Sequence, residues 1–116
     1  MADDQAKLQA KVQQLQSLAT QLQQLSQQRG QMEAMQHDSN AALEALATLA
    51  DGGAVYRSIG SLLIQDDRDA AVGRIKDDVE TMQVRIKRAT QQEGQLREAL
   101  EKLQSELQAS FGKAQG

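Results

Sequence analysis

Ala54-Val55-Tyr56-Arg57-Ser58-Ile59-Gly60-Ser61-Leu62-Leu63-Ile64-Gln65 is the stretch whose reading decides the fold, because it breaks an otherwise helical rhythm. β-Branched and bulky apolar residues dominate it, a glycine stands at its centre, and Asp51-Gly52-Gly53 before it and Asp66-Asp67 after it are punctuation. The pattern predicts a β-hairpin over residues 54–65, two short strands joined through Ile59-Gly60. The competing reading, an apolar turn of helix, is weakened by Gly52, Gly53 and Gly60. A lone two-stranded hairpin is marginal in water, and its open edges recruit further strands. Val55, Tyr56, Ile59, Leu62, Leu63 and Ile64 are also more apolar side chains than two thin helical arms can cover. These residues, with Gly60 at the turn, are therefore the expected site of subunit assembly, hairpins from several subunits joining in a shared sheet or β-barrel platform.

Outward on both sides the chain reads as helix. From about residue 3 to 49, apolar residues fall at Leu8, Leu15, Leu18, Leu22, Leu25, Met32, Leu43 and Leu46, with Arg29, Gln36 and Ser39 filling the remaining steps of a three–four rhythm. From about residue 67 to 111 the rhythm is cleaner: Val72, Ile75, Val79, Met82, Ile86, Ala89, Glu93, Leu96, Leu100, Leu103 and Leu107. Such heptads predict left-handed coiled-coil pairing. Asp66 or Asp67 is placed to cap the second helix, and Gly112 to follow its end. If the helices pair antiparallel, opposed seam residues keep a constant sum of residue numbers. Leu15 with Leu103, Leu22 with Leu96, Met32 with Ile86 and Leu46 with Val72 all sum to 118, which centres the fold-back at residue 59, inside the hairpin. Leu25 then opposes Glu93 one layer from Arg29, so an Arg29–Glu93 contact is expected to offset the buried carboxylate. The expected fold is mainly α: a long antiparallel two-helix coiled coil with a short β-hairpin at the fold-back, residues 1–116 forming one domain.

Composition agrees with an elongated helical chain rather than a conventional core. Aromatic residues make up 2% of the 116, Tyr56 and Phe111 alone, and there is no tryptophan or proline. The absence of cysteine removes disulfides and thiolate metal sites and fits a reducing compartment. A formal net charge of −3 gives no general attraction to nucleic acid or anionic membranes. No apolar run approaches the roughly 18 residues of a membrane span, and Met1-Ala2-Asp3-Asp4-Gln5 is unlike a secretory signal. A cytoplasmic protein is expected.

Val55-Tyr56-Arg57-Ser58-Ile59-Gly60-Ser61-Leu62-Leu63-Ile64, the polar stretch Gln65-Asp66-Asp67-Arg68-Asp69, and a heptad helix containing Glu80-Thr81-Met82-Gln83-Val84-Arg85-Ile86-Lys87 together resemble the β-class subunit of archaeal prefoldin. The resemblance covers nearly the whole chain, and the Val-Tyr-x-x-x-Gly core between two helices is its specific part. Asp51-Gly52-Gly53 departs from the family, whose members often carry proline there. The resemblance implies a hexamer of two α-class and four β-class subunits, a double β-barrel platform and six coiled-coil arms. It further implies an ATP-independent holding chaperone that grips unfolded proteins at the arm tips and delivers them to a group II chaperonin, with no cofactor. The residues make that mechanism physically reasonable. Leu8, Val12, Leu15, Leu103, Leu107 and Phe111 lie near the free ends, where coiled coils fray. An opened end would offer client proteins an apolar patch, and apolar burial asks for no particular sequence. Each leucine has an ordinary alternative role as coiled-coil core. Phe111, beyond the last good heptad layer, is the best single candidate for client contact.

The remaining signals point away from catalysis, metal and nucleic acid. His37 is the lone histidine, among polar residues. Asp66-Asp67-Arg68-Asp69 lacks the central glycine and final glutamate of a calcium loop. Arg85-Ile86-Lys87-Arg88 has no aromatic neighbours to stack bases. No serine has hydrolase partners, and no glycine-rich phosphate loop is present. The rival reading is a structural or adaptor coiled-coil oligomer without chaperone activity, which would have no need of the Tyr56–Ile64 hairpin.

Overall fold

The computed structural model describes the backbone of residues 2–115 and the side chains of residues 2–112. Its elements follow in the order α1 (Ala2–Ala47), β1 (Val55–Ile59), β2 (Leu62–Asp66) and α2 (Arg68–Gln115). The chain divides into two compact units, residues 1–30 with 87–116 and residues 31–86.

In the first unit, α1 runs against α2 along a narrow seam. Leu8, Val12, Leu15, Leu18, Leu22, Leu25 and Arg29 are among the covered positions on α1, as are Ala89, Glu93, Leu96, Leu100, Leu103 and Leu107 on α2. The expected rhythm is thus the observed burial rhythm, polar members included. The seam is thin: Leu103, Leu107, Ala89 and Glu93 are the members of this unit that are buried outright. Charge contacts among the described residues also tie the helices together. Arg29 Nε donates to Glu93 Oε1 at 2.6 Å, the pair the heptads call for, and Lys11 Nζ lies 3.8 Å from Glu106 Oε2. The second pair is well exposed and contributes at most about 1 kcal/mol.

The second unit continues the pattern, with Met32, Gln36, Ser39, Leu43 and Leu46 half-covered on α1 and Val72, Ile75, Val79, Met82 and Ile86 half-covered on α2. Its buried apolar residue is Ala71. Here the ends of both helices are satisfied by side chains, as buried or half-buried helix ends require. Asp67 caps α2, its Oδ2 accepting from the Ala70 N–H at 3.0 Å. The next residue serves the other helix. Arg68 Nη1 donates to the Leu49 carbonyl at 3.2 Å and Nη2 to the Ala47 carbonyl at 3.4 Å, placing a cation on the negative end of α1.

The strands pair antiparallel, Val55 with Asp66, Tyr56 with Gln65, Arg57 with Ile64, Ser58 with Leu63 and Ile59 with Leu62. The loop is therefore Gly60-Ser61, one residue later than the expected joint at Ile59-Gly60. Gly60 has φ +57°, while among the described residues no non-glycine has positive φ. That is the pattern of a type II′ turn, which needs glycine at its first loop position and so leaves Ile59 inside β1. The hairpin is centred past residue 59 because its connections are unequal: residues 48–54 lead into it and Asp67 alone leads out. A second difference lies at the C-terminus, where α2 runs through Gly112 to Gln115 instead of ending there. A glycine lowers helix propensity by about 1 kcal/mol, which slows a helix without obliging it to stop.

Candidate functional site

Two surfaces gather the residues that the sequence singles out. The first is the hairpin. Opposed residues of an antiparallel pair share a face, so the register puts Val55, Arg57, Ile59, Leu62, Ile64 and Asp66 on one face and Tyr56, Ser58, Leu63 and Gln65 on the other. Both faces carry large apolar groups, most of them left exposed by the rest of this unit. Of the large apolar side chains exposed among the described residues, five belong here: Leu63 at 73%, Leu62 at 63%, Tyr56 at 59%, Ile59 at 48% and Ile64 at 47%. Val55 is half-buried. A hairpin of this kind has too little of its own core to persist alone, and a contiguous exposed apolar patch marks an interaction surface.

Beside the hairpin a groove of about 470 Å³ opens among the helix ends, lined by Ala42, Leu46, Val55, Tyr56, Ala71 and Ile75 among others. Alanines on both helices leave this space, a feature that sequence periodicity does not disclose because alanine satisfies a heptad as well as leucine does.

Asp66 anchors the base of the hairpin. Its Oδ2 accepts from Arg74 Nη2 and its Oδ1 from the Asp67 N–H at 2.9 Å. The Arg74 hydrogen bond holds the Asp66 carboxyl below its usual 3.8; partial burial opposes this, and the Asp67 N–H and the charges of Arg74 and Arg57 reinforce it. A carboxyl depressed on folding stabilises the folded state above its unfolded value and loses that contribution as pH falls through the folded one. Thermal unfolding of the chain is accordingly expected to shift downward on acidification from about pH 5 to about pH 2. Asp66→Asn should lower the midpoint at neutral pH and flatten the acid limb. An acid limb as steep in Asp66→Asn as in the parent would remove Asp66 from this role.

The second surface lies in the other unit, where Leu8, Gln9, Val12, Gln13 and Phe111 line a groove that also measures about 470 Å³. Three of the six residues expected to hold clients thus come together: Leu8, Val12 and Phe111. Leu8 and Val12 are half-covered, and Phe111 is 46% exposed. The other three are placed differently. Leu15 is half-covered in the seam, while Leu103 and Leu107 are buried at 7% and 5%, so they can meet a client only if the helices part. Gln9 and Gln13 were not singled out by sequence, although their i, i+4 spacing beside Leu8 and Val12 puts them on adjoining ground. Their amides add donors and acceptors to the rim of an otherwise apolar groove.

Elsewhere His37 is exposed. Among the described residues no three potential metal ligands cluster, and no helix is long and apolar enough to cross a membrane.

Comparison with known proteins gives a consistent answer. The family described as "Prefoldin subunit" matches residues 9–114. The prefoldin subunit beta of Methanosarcina acetivorans is 39% identical over 107 residues, 92% of this chain and 86% of that one. Its counterpart in Methanococcoides burtonii is 37% identical over the same shares. The crystal structure of the prefoldin beta subunit from Thermococcus strain KS-1 superposes with a TM-score of 0.80 at 32% identity, covering 90% of this chain and 91% of that one.

Proposed function

As a member of the prefoldin subunit family, a family of chaperones, this chain is one that we propose works as a β-class subunit of a hexameric, non-enzymatic holding chaperone. In this reading the hairpin joins the chain to α-class and further β-class subunits, two α and four β, through a common β-barrel platform. The helix ends hold unfolded proteins without nucleotide or other cofactor and pass them to a group II chaperonin in the cytoplasm.

The observation that carries the holding role is the groove of Leu8, Val12 and Phe111, an apolar surface rimmed by amides and left open to solvent. Burial there stabilises a contact by about 25 cal/mol per Å² of apolar area whatever the sequence of the client. A single small groove binds weakly, and several borne on one platform act together through effective concentration. The exposed hairpin supports the assembly half of the proposal, since its two apolar faces need partners on both sides.

Mixing the chain with an α-class subunit is expected to give a hexamer by size exclusion with light scattering, and the mixture should suppress aggregation of a denatured client without ATP. A homodimer indifferent to the α-class subunit, with no effect on aggregation, would favour the adaptor reading instead.

A further inference from the structure

Glu93 is the one buried polar residue among those described, 4% exposed, and it occupies a seam position of α2. Its Oε1 accepts from Arg29 Nε at 2.6 Å, and Arg29 likewise sits in the seam, with 29% of its side chain still open to water. In the common register Arg29 opposes Ala89 and Glu93 opposes Leu25, so two successive layers place a charge where their neighbours have apolar pairs. A glycine follows each charge, Gly30 on α1 and Gly94 on α2. A side chain added at either would meet nothing within 4 Å, so neither glycine is there to let backbones approach; what each does is weaken its helix locally.

These features have one physical consequence. Parting an apolar layer exposes hydrocarbon to water, whereas parting this one returns two ions to water and recovers their hydration. We propose that the Arg29–Glu93 layer, with Gly30 and Gly94 beside it, is a release point from which the paired helix ends, Leu8 to Leu25 against Leu96 to Leu107, open as one piece. The pair keeps the closed form unique, because either charge left alone in the seam is strongly unfavourable, yet it makes that form easier to leave than leucine would. On the footing of the proposed function, opening from here brings Leu15, Leu103 and Leu107 within reach of a client, which the closed seam denies them.

Hydrogen exchange of the full chain tests this without any client, amide exchange through local opening being a measure of the opening equilibrium. Arg29→Leu with Glu93→Leu should slow exchange of amides in residues 8–28 and 95–110 by about tenfold or more. Glu93→Arg alone should speed it by about tenfold or more, and Arg29→Glu with Glu93→Arg should restore exchange to within about threefold of the parent. Exchange as fast in the leucine pair as in the parent would overturn the proposal, as would a swapped pair no slower than Glu93→Arg. If the leucine pair precipitates, the reversal and the swap decide the matter. A chain that exchanges as expected and yet fails to hold clients would overturn the functional reading alone.

Discussion

A chain carrying Leu63→Asp is expected to keep its helices and lose its assembly. Leu63 is 73% exposed in the isolated chain, and exposed substitutions away from special features usually change stability by about 0.5 kcal/mol or less. In the proposed platform the same position would face another subunit. Forgoing a buried leucine there costs about 1.5–3 kcal/mol, and desolvating an unpaired carboxylate adds several more. Each contact should weaken by roughly 100-fold or more, and the proposed hexamer would repeat that loss at several contacts. Circular dichroism should show a helix content and midpoint like the parent's, while light scattering of the mixture with an α-class subunit shows only small species. A hexamer formed as readily by Leu63→Asp as by the parent would move the assembly site away from the hairpin.

The second large effect concerns the other surface. Leu8→Ser, Val12→Ser and Phe111→Ser together strip the groove of its apolar lining while leaving the hairpin and Arg29–Glu93 untouched. Burying a phenylalanine or leucine is worth about 1.5–3 kcal/mol, so each arm should lose roughly tenfold to a hundredfold in client affinity. If the arms act together as proposed, the loss should compound across the assembly. The reading is the concentration needed for half-suppression of client aggregation, with assembly verified in the same samples. Val84→Ser, which alters an exposed apolar residue of the other unit, is the matched control and should change nothing. Undiminished suppression by the triple variant would place client binding elsewhere.

Much of this was legible in the chain itself, and the physical reason is that a two-helix seam is almost a one-dimensional object. Every third or fourth residue either faces the partner helix or faces water, so Arg29, Gln36 and Ser39 could be placed in the stripe although none is apolar, and the Arg29–Glu93 pair followed from arithmetic. The hairpin was visible through composition, but its loop was displaced by one residue because turn geometry, not hydrophobicity, decides where Gly60 must stand. What sequence did not disclose depends on contacts that are distant in the chain or have no period. Arg68 reaches back to the carbonyls of Ala47 and Leu49, Arg74 to Asp66, and Gln9 and Gln13 acquire meaning only when Phe111 arrives beside them. Gly112 failed as a stop signal for a related reason: a glycine lowers propensity, whereas ending a helix needs something that competes for its last carbonyls.

Arg68 has a consequence for how such a chain can change over generations. Since it fastens the end of α1 and Asp67 caps the start of α2, both helix termini are closed without help from Tyr56, Leu62 or Leu63. The helices place no demand on those three positions, so a duplicated copy of the chain could acquire new associates by altering them while its helices stay as they are. On the proposed assembly role the hairpin would behave as an interchangeable address label, and grafting one from a sister subunit onto these helices should change the composition of the assembly.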